Sequence, residues 1–120
     1  MMMQESRWTA EIAIMNKYFP QFAAFRTENG GVGFFGRVRG PRTGREYGIL
    51  AMVPAQRYPE TEPAVYIEPR IMSGYWQMDG VNGDPNGRLS IDHQRPWAPT
   101  RHTFAKCVLD AIQFLEEFDQ

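Results

Sequence analysis

The spacing of apolar residues changes twice along the chain, and the changes mark out the elements. Trp8, Ile12, Met15 and Phe19 recur at i, i+4, i+7 and i+11, the stripe of an amphipathic helix. Ser6 or Thr9 is expected to cap this helix. Pro20 is expected to end it near Phe19, because a proline disfavours helical backbone in the residue before it. Phe19, Phe22 and Phe25 then lead into a first strand. From Gly30 the period falls to two. Val32, Phe34, Gly36 and Val38 alternate with their neighbours, and so do Tyr47, Ile49, Ala51 and Val53. Between the two runs, Gly40-Pro41-Arg42-Thr43-Gly44 is turn chemistry, so the pair predicts an antiparallel meander. Ala64-Val65-Tyr66-Ile67-Glu68 predicts a further short strand after a proline-bounded connection.

Residues 69–100 carry little regular pattern. Pro69, Pro85, Pro96 and Pro99 break them up, and Trp76 and Trp97 lie among many turn residues. They are expected to be irregular, and so long an irregular stretch in a small domain is usually functional. Helical spacing returns with Phe104, Val108, Ala111, Ile112, Leu115 and Phe118, with Thr100 or Thr103 as the expected cap. The predicted order is helix, meander of three to four strands, long irregular segment, helix. Segregated helices and strands imply an α+β fold in a single domain over residues 1–120.

Composition narrows the classes. In 120 residues the hydrophobic fraction is 42% and the aromatic fraction 13%, which excludes a disordered chain. Apolar runs are too short for a membrane-spanning helix, and Met1-Met2-Met3-Gln4-Glu5 lacks the charge and apolar run of a signal peptide. A formal net charge of -1 lacks the electrostatic footprint of a nucleic-acid binder. Neither a nucleic-acid nor a membrane partner is therefore expected. The single cysteine, Cys107, cannot form an internal disulfide, and with no export signal the expected compartment is the reducing cytoplasm. Cys107 lies on the apolar stripe of the last helix and reads as a buried small hydrophobe.

Three segments together resemble the ubiquitin-conjugating enzyme (E2) family, whose fold is called UBC-like. The first is Val53-Pro54-Ala55-Gln56-Arg57-Tyr58-Pro59-Glu60-Thr61-Glu62-Pro63-Ala64-Val65. It is similar to the family's apolar-Pro pair followed by Tyr-Pro, a further proline and a strand. Tyr58-Pro59, Pro63 and Val65 match; one residue is extra before Tyr58, and Glu62 stands where the family usually has a proline. The second, Asn86-Gly87-Arg88-Leu89-Ser90-Ile91-Asp92, resembles the active-site run Asn-Gly-x-Ile-Cys-Leu-Asp, with Ser90 at the position of the catalytic cysteine. Asn82 lies eight residues upstream, at the spacing of the asparagine of the family's His-Pro-Asn motif, with Gly80-Val81 in place of His-Pro. The third, Trp97-Ala98-Pro99, is similar to the Trp-Ser-Pro before the family's second helix.

The resemblance runs in order along nearly the whole chain, through the second helix. That is the extent of the minimal carriers of bacterial ubiquitination-like systems. It implies a transferase that takes a ubiquitin-like modifier from an activating enzyme (E1-like) and passes it to a target protein, without cofactor or metal. Ser90 would be the nucleophile, holding the modifier as an oxyester; Asn82 would support the oxyanion; Asp92 would assist the acceptor. Three explanations of the serine stay open: a native nucleophile, a non-catalytic variant that only binds a ubiquitin-like protein or partner enzyme, and a cysteine replaced by serine. For Asn82 and Asp92 the plainer reading is a turn residue and a structural hydrogen bond.

Other candidates are weaker. His93 and His102 invite a Ser-His-Asp reading, but triads are assembled from separate elements and Asp92 and His93 are adjacent. Their spacing does not suit a metal either. Tyr75, Trp76 and Trp97 are expected to pack as loop aromatics. Arg7 and Lys17 are expected on the solvated face of the first helix, where the family docks its activating enzyme.

Overall fold

The computed structural model describes residues 5–54, 57–68, 88–89 and 97–119. The elements are α1 (Glu5–Tyr18), β1 (Ala23–Arg26), β2 (Val32–Arg39), β3 (Glu46–Val53), β4 (Ala64–Glu68), β5 (Arg88–Leu89) and α2 (Phe104–Phe118). The strands pair antiparallel in chain order, so β1 to β4 make a four-strand meander and β5 adds a short rung at its edge. The architecture is α+β, with a helix at each end of the sequence. No helix among the described residues is long and apolar enough to cross a membrane.

The alternation read from the sequence is the alternation of faces, since successive side chains of a strand point to opposite sides. Phe34 stands opposite Ala51, Ala51 opposite Val65, and Ile49 opposite Ile67. All of these are buried. The helices pack on this face through a ring cluster: Trp8 of α1 lies 5.1 Å from Phe34, Phe104 of α2 lies 5.2 Å from Phe34, and the Trp8 and Phe104 rings are 5.8 Å apart. Each such aromatic pair adds about 0.5–1.5 kcal/mol beyond the area it buries. On the other face Phe35, Arg37 and Arg39 are exposed.

Two local expectations change. The first helix already runs from Glu5, so Ser6 and Thr9 lie inside it and do not cap it. Glu5 instead pairs with Arg26 of β1 through both carboxylate oxygens, at 2.9 and 2.6 Å. Within the stretch expected to be irregular, Arg88–Leu89 is a strand, recruited because β4 offers an open edge. The cap of α2 is Thr103, whose hydroxyl oxygen accepts from the Lys106 amide at 3.2 Å, while Thr100 sits in the preceding turn.

The far end of the sheet is tied to the end of α2 by one carboxylate. Asp119, 2% exposed, accepts from the amides of Arg42 and Thr43 at 2.8 Å, from the Thr43 hydroxyl at 2.7 Å and from the Tyr47 hydroxyl at 2.8 Å. The β2–β3 turn can wrap it only because Gly40 has no side chain; a Cβ there would lie 2.3 Å from the carboxylate. Gly44, at φ +73, supplies the left-handed residue of the same turn.

Burial pushes the Asp119 carboxyl up. The Thr43 side chain and amide, the Tyr47 hydroxyl and the Arg42 amide outweigh it and bring the pKa down to about 2. A folded-state value below the ordinary one stabilises the fold fully above pH ~4, and that contribution is lost as pH falls through the depressed value. Asp119→Asn is therefore expected to lower the Tm at neutral pH and to flatten the fall in Tm between pH ~4 and pH ~2. Thermal unfolding across that range checks it; equal acid slopes for the two proteins would show that the carboxylate does not carry this linkage.

Candidate functional site

The described parts of the three segments that carry the resemblance adjoin one another. Tyr58-Pro59 sits in a turn closed by the Thr61 amide on the Arg57 carbonyl at 2.9 Å, with a cis peptide bond between them. The buried Tyr58 ring lies 4.7 Å from Phe104 and 6.3 Å from Trp97. Trp97 donates its indole N–H to the Pro59 carbonyl at 2.7 Å, which fixes the third segment on the first. The second segment joins through β5: Leu89 pairs opposite Val65 and Arg88 opposite Tyr66.

Beneath this junction lies a polar clamp. Glu11 faces inward from α1 and is 1% exposed. Its carboxylate accepts from Arg7 Nε at 2.9 Å, from the Tyr58 hydroxyl and from the Phe104 amide at 3.0 Å. Phe104 opens α2, so the carboxylate also sits at that helix's positive end and satisfies one of its unpaired amides. Arg7 is spread over four acceptors. Besides Glu11 it donates to the Tyr58 hydroxyl at 3.0 Å, to the His102 carbonyl at 2.6 Å and to the Pro99 carbonyl, and its guanidinium lies 5.2 Å from the Tyr58 ring centroid. Burial and the Glu11 carboxylate push the Tyr58 phenol well up, against a smaller opposing pull from Arg7. Burial works to lower the Arg7 pKa, but the bonds to Glu11 and Tyr58 prevail and raise it.

Arg7 is thus not on the solvated face of α1. Its side chain is 19% exposed and consumed within the fold, and only Lys17 of the expected pair faces solvent. The reason is the placement of Glu11 on the apolar stripe, which needs a cation one turn away. His102 is also committed: its Nδ1 accepts from the Ala98 amide at 3.0 Å, and its ring lies 5.5 Å from Trp97.

Ser90, Asn82 and Asp92 lie outside the described residues, as do His93, Tyr75 and Trp76. Ser90 directly follows Leu89 of β5 in sequence, and the described chain resumes at Trp97. Cys107 is buried on α2, and burial first, then the nearby acids Glu62, Asp110 and Glu11, push its thiol well above the usual cysteine range.

No family model, no curated protein and no solved structure matches this chain.

Among the described residues, β5 ends at Leu89 on the edge of β4, and the chain resumes at Trp97, anchored on the Pro59 carbonyl. Sequence reasoning missed the clamp beneath. A signal was present, since Glu11 falls three residues after Trp8 and four before Met15, on the face that must be buried, with Arg7 at i−4.

Arg7→Met would leave Glu11 as an uncompensated buried charge, and is expected to cost about 3–5 kcal/mol in urea unfolding. Adding Glu11→Gln keeps an acceptor for the Phe104 amide without the charge and is expected to recover part of that loss. A cost under ~1 kcal/mol for Arg7→Met, typical of a surface substitution, would contradict the clamp. Cys107 is expected to react with a thiol reagent at the rate of global opening, and quickly only in denaturant. Fast labelling of the folded chain would place the thiol at the surface.

Proposed function

We propose that the chain is a minimal carrier of the E2 type, with a UBC-like fold, in a bacterial ubiquitination-like pathway of the cytoplasm. What supports this is the convergence of the three resembling segments on one frame, through Trp97 on Pro59 and Leu89 opposite Val65. The lead into Ser90 and the anchor that follows it are both held by the segment containing Tyr58-Pro59.

In this reading the Ser90 hydroxyl attacks the thioester carbonyl that joins the modifier's C-terminus to the activating enzyme. A C–O bond forms, the C–S bond breaks, and the hydroxyl proton ends on the departing thiolate. The modifier is then held as an ester. An amine of the target protein attacks the same carbonyl, the C–O bond breaks, and Ser90 recovers its proton. Asn82 stabilises the oxyanion in both steps, where one preorganised donor contributes about 3–4 kcal/mol. Asp92 accepts the proton of the incoming amine. The ester is less activated than a thioester, so transfer relies more on positioning, which a rigid frame supplies.

The test is to combine the protein with an activating enzyme, ATP and a ubiquitin-like modifier. The expected adduct survives thiol reductant and is cleaved by hydroxylamine. Ser90→Ala is expected to abolish it without loss of activating-enzyme binding, and Ser90→Cys to convert it to a reductant-sensitive adduct. Cysteine is the stronger nucleophile, with an unperturbed pKa of about 8.5. A wild-type adduct that reductant removes would assign the chemistry elsewhere. Modifier binding with no adduct from either wild type or Ser90→Cys would identify a non-catalytic binding module and overturn the carrier reading.

A further inference from the structure

The six residues from Trp97 to His102 form the junction between the candidate-site segment and α2, and one titratable side chain closes it. The Arg101 and His102 amides donate to the Ala98 carbonyl at 3.0 and 2.9 Å. The Ala98 amide in turn donates to His102 Nδ1 at 3.0 Å. Ala98 is therefore held at both its N–H and its C=O by the end of its own turn. Trp97, the neighbour of Ala98, carries the bond to the Pro59 carbonyl and rests against the His102 ring.

A ring nitrogen that accepts a hydrogen bond carries no proton, so the neutral ring is protonated at Nε2. The imidazolium has an N–H on both nitrogens. Two N–H groups would then face one another at the Ala98–His102 contact, which the turn can accommodate only by letting the ring rotate away. The charged and titratable groups around the ring come from α1, from the connection before β4 and from the chain into α2. From α1, the Arg7 guanidinium already donates to the His102 and Pro99 carbonyls. Glu11, also on α1, is engaged by Arg7, Tyr58 and the Phe104 amide. From the connection before β4, Tyr58 contributes a phenol whose raised pKa keeps it neutral. On α2, Lys106 pairs with Asp110 at 2.7 Å, and in the turn before it Arg101 is an exposed cation next to His102 in sequence. The Trp97 ring lies against the imidazole at 51°, tilted rather than stacked.

We propose that His102 is a proton-sensitive latch on the 97–102 turn. Neutral, it closes the turn through the Ala98 amide and keeps Trp97 seated on Pro59. Protonated, it releases that amide and loosens the Trp97 anchor, so acid uncouples the chain leading out of the candidate site from the Tyr58-Pro59 turn. The latch stands on the geometry of this turn and holds whether or not Ser90 carries a modifier.

The test is an NMR titration of the full chain between about pH 8 and about pH 5, the range in which histidines change charge. Three assigned signals are followed: the His102 ring, the Ala98 amide and the Trp97 indole N–H. The protection factor of the Ala98 amide is expected to fall about tenfold, the equivalent of one net hydrogen bond, with the midpoint of the His102 ring titration. Exchange of the Trp97 indole proton is expected to rise with the same midpoint. His102→Asn places a non-titrating acceptor oxygen where Nδ1 stands and is expected to keep the Ala98 amide protected across the range. His102→Ala is expected to leave it unprotected throughout. An Ala98 amide unmoved while His102 titrates in the wild type would overturn the latch, as would an undiminished pH response in His102→Asn. The wild-type comparison decides the matter even if a variant fails to fold.

Discussion

Glu11 is an acid on the apolar face of a helix, and the packing around it has to answer for that charge. A buried carboxylate is tolerable only when it is paired and its lone pairs are filled. Three donors do this here, and they come from three parts of the chain: Arg7 on the same helix, Tyr58 in the turn before β4, and the Phe104 amide at the start of α2. Arg7 passes the constraint on to the Pro99 and His102 carbonyls. The angle between the two helices, the seat of the Tyr58-Pro59 turn and the path of the 97–102 turn are thereby fixed together. The aromatic cluster of Trp8, Phe34 and Phe104 supplies cohesion around the clamp. Most of its contribution is buried area, which constrains orientation less than the hydrogen bonds of the clamp do.

Asp119 plays the corresponding part at the opposite end. It too is a buried carboxylate that accepts several hydrogen bonds, here from the β2–β3 turn and from Tyr47. The two acids bracket α2: Glu11 accepts from its first amide, and Asp119 follows its last turn, donating its own amide to the Leu115 carbonyl at 3.0 Å. A helix held at both ends presents its apolar stripe to the sheet in one orientation. Cys107 is locked into that stripe, which is why its thiol is a packing group and not a reactive one.

The same economy of contacts bears on the proposed carrier chemistry. Transfer through an ester needs a nucleophile held in place more than it needs an intrinsically reactive one. The segment containing Ser90 leaves an edge strand paired with β4 and enters a turn pinned by Trp97. The Trp97 attachment is made to the Tyr58-Pro59 turn, which is itself bonded to the clamp. The Tyr58-Pro59 turn and the 97–102 turn are thereby both tied to α1.

Most of the elements could be read from local pattern alone. Period-two runs placed β2 and β3, the short apolar run placed β4 at Ala64–Glu68, and the 3.6-residue stripe placed α2 at Phe104–Phe118, with its cap left between Thr100 and Thr103. These follow from local geometry: which side chains share a face depends only on the backbone repeat. The order of the three resembling segments was legible too, because it is a property of the chain. The inward turn of Arg7 was signalled only by the place of Glu11 on the apolar face, since an i,i+4 ion pair otherwise reads as a solvated surface feature. The tertiary partners of Glu11, Asp119 and the His102 ring were not legible. They lie far off in sequence, as with Asp119 and Tyr47, or depend on how a turn closes, as with His102 and Ala98. The strand at Arg88–Leu89 was hidden for the same reason, because two residues carry no period and become a strand only when β4 leaves an edge for them. Periodicity reports burial along one element; which polar groups meet inside is decided only when the elements are brought together, because a buried charge must find its donors wherever the fold supplies them.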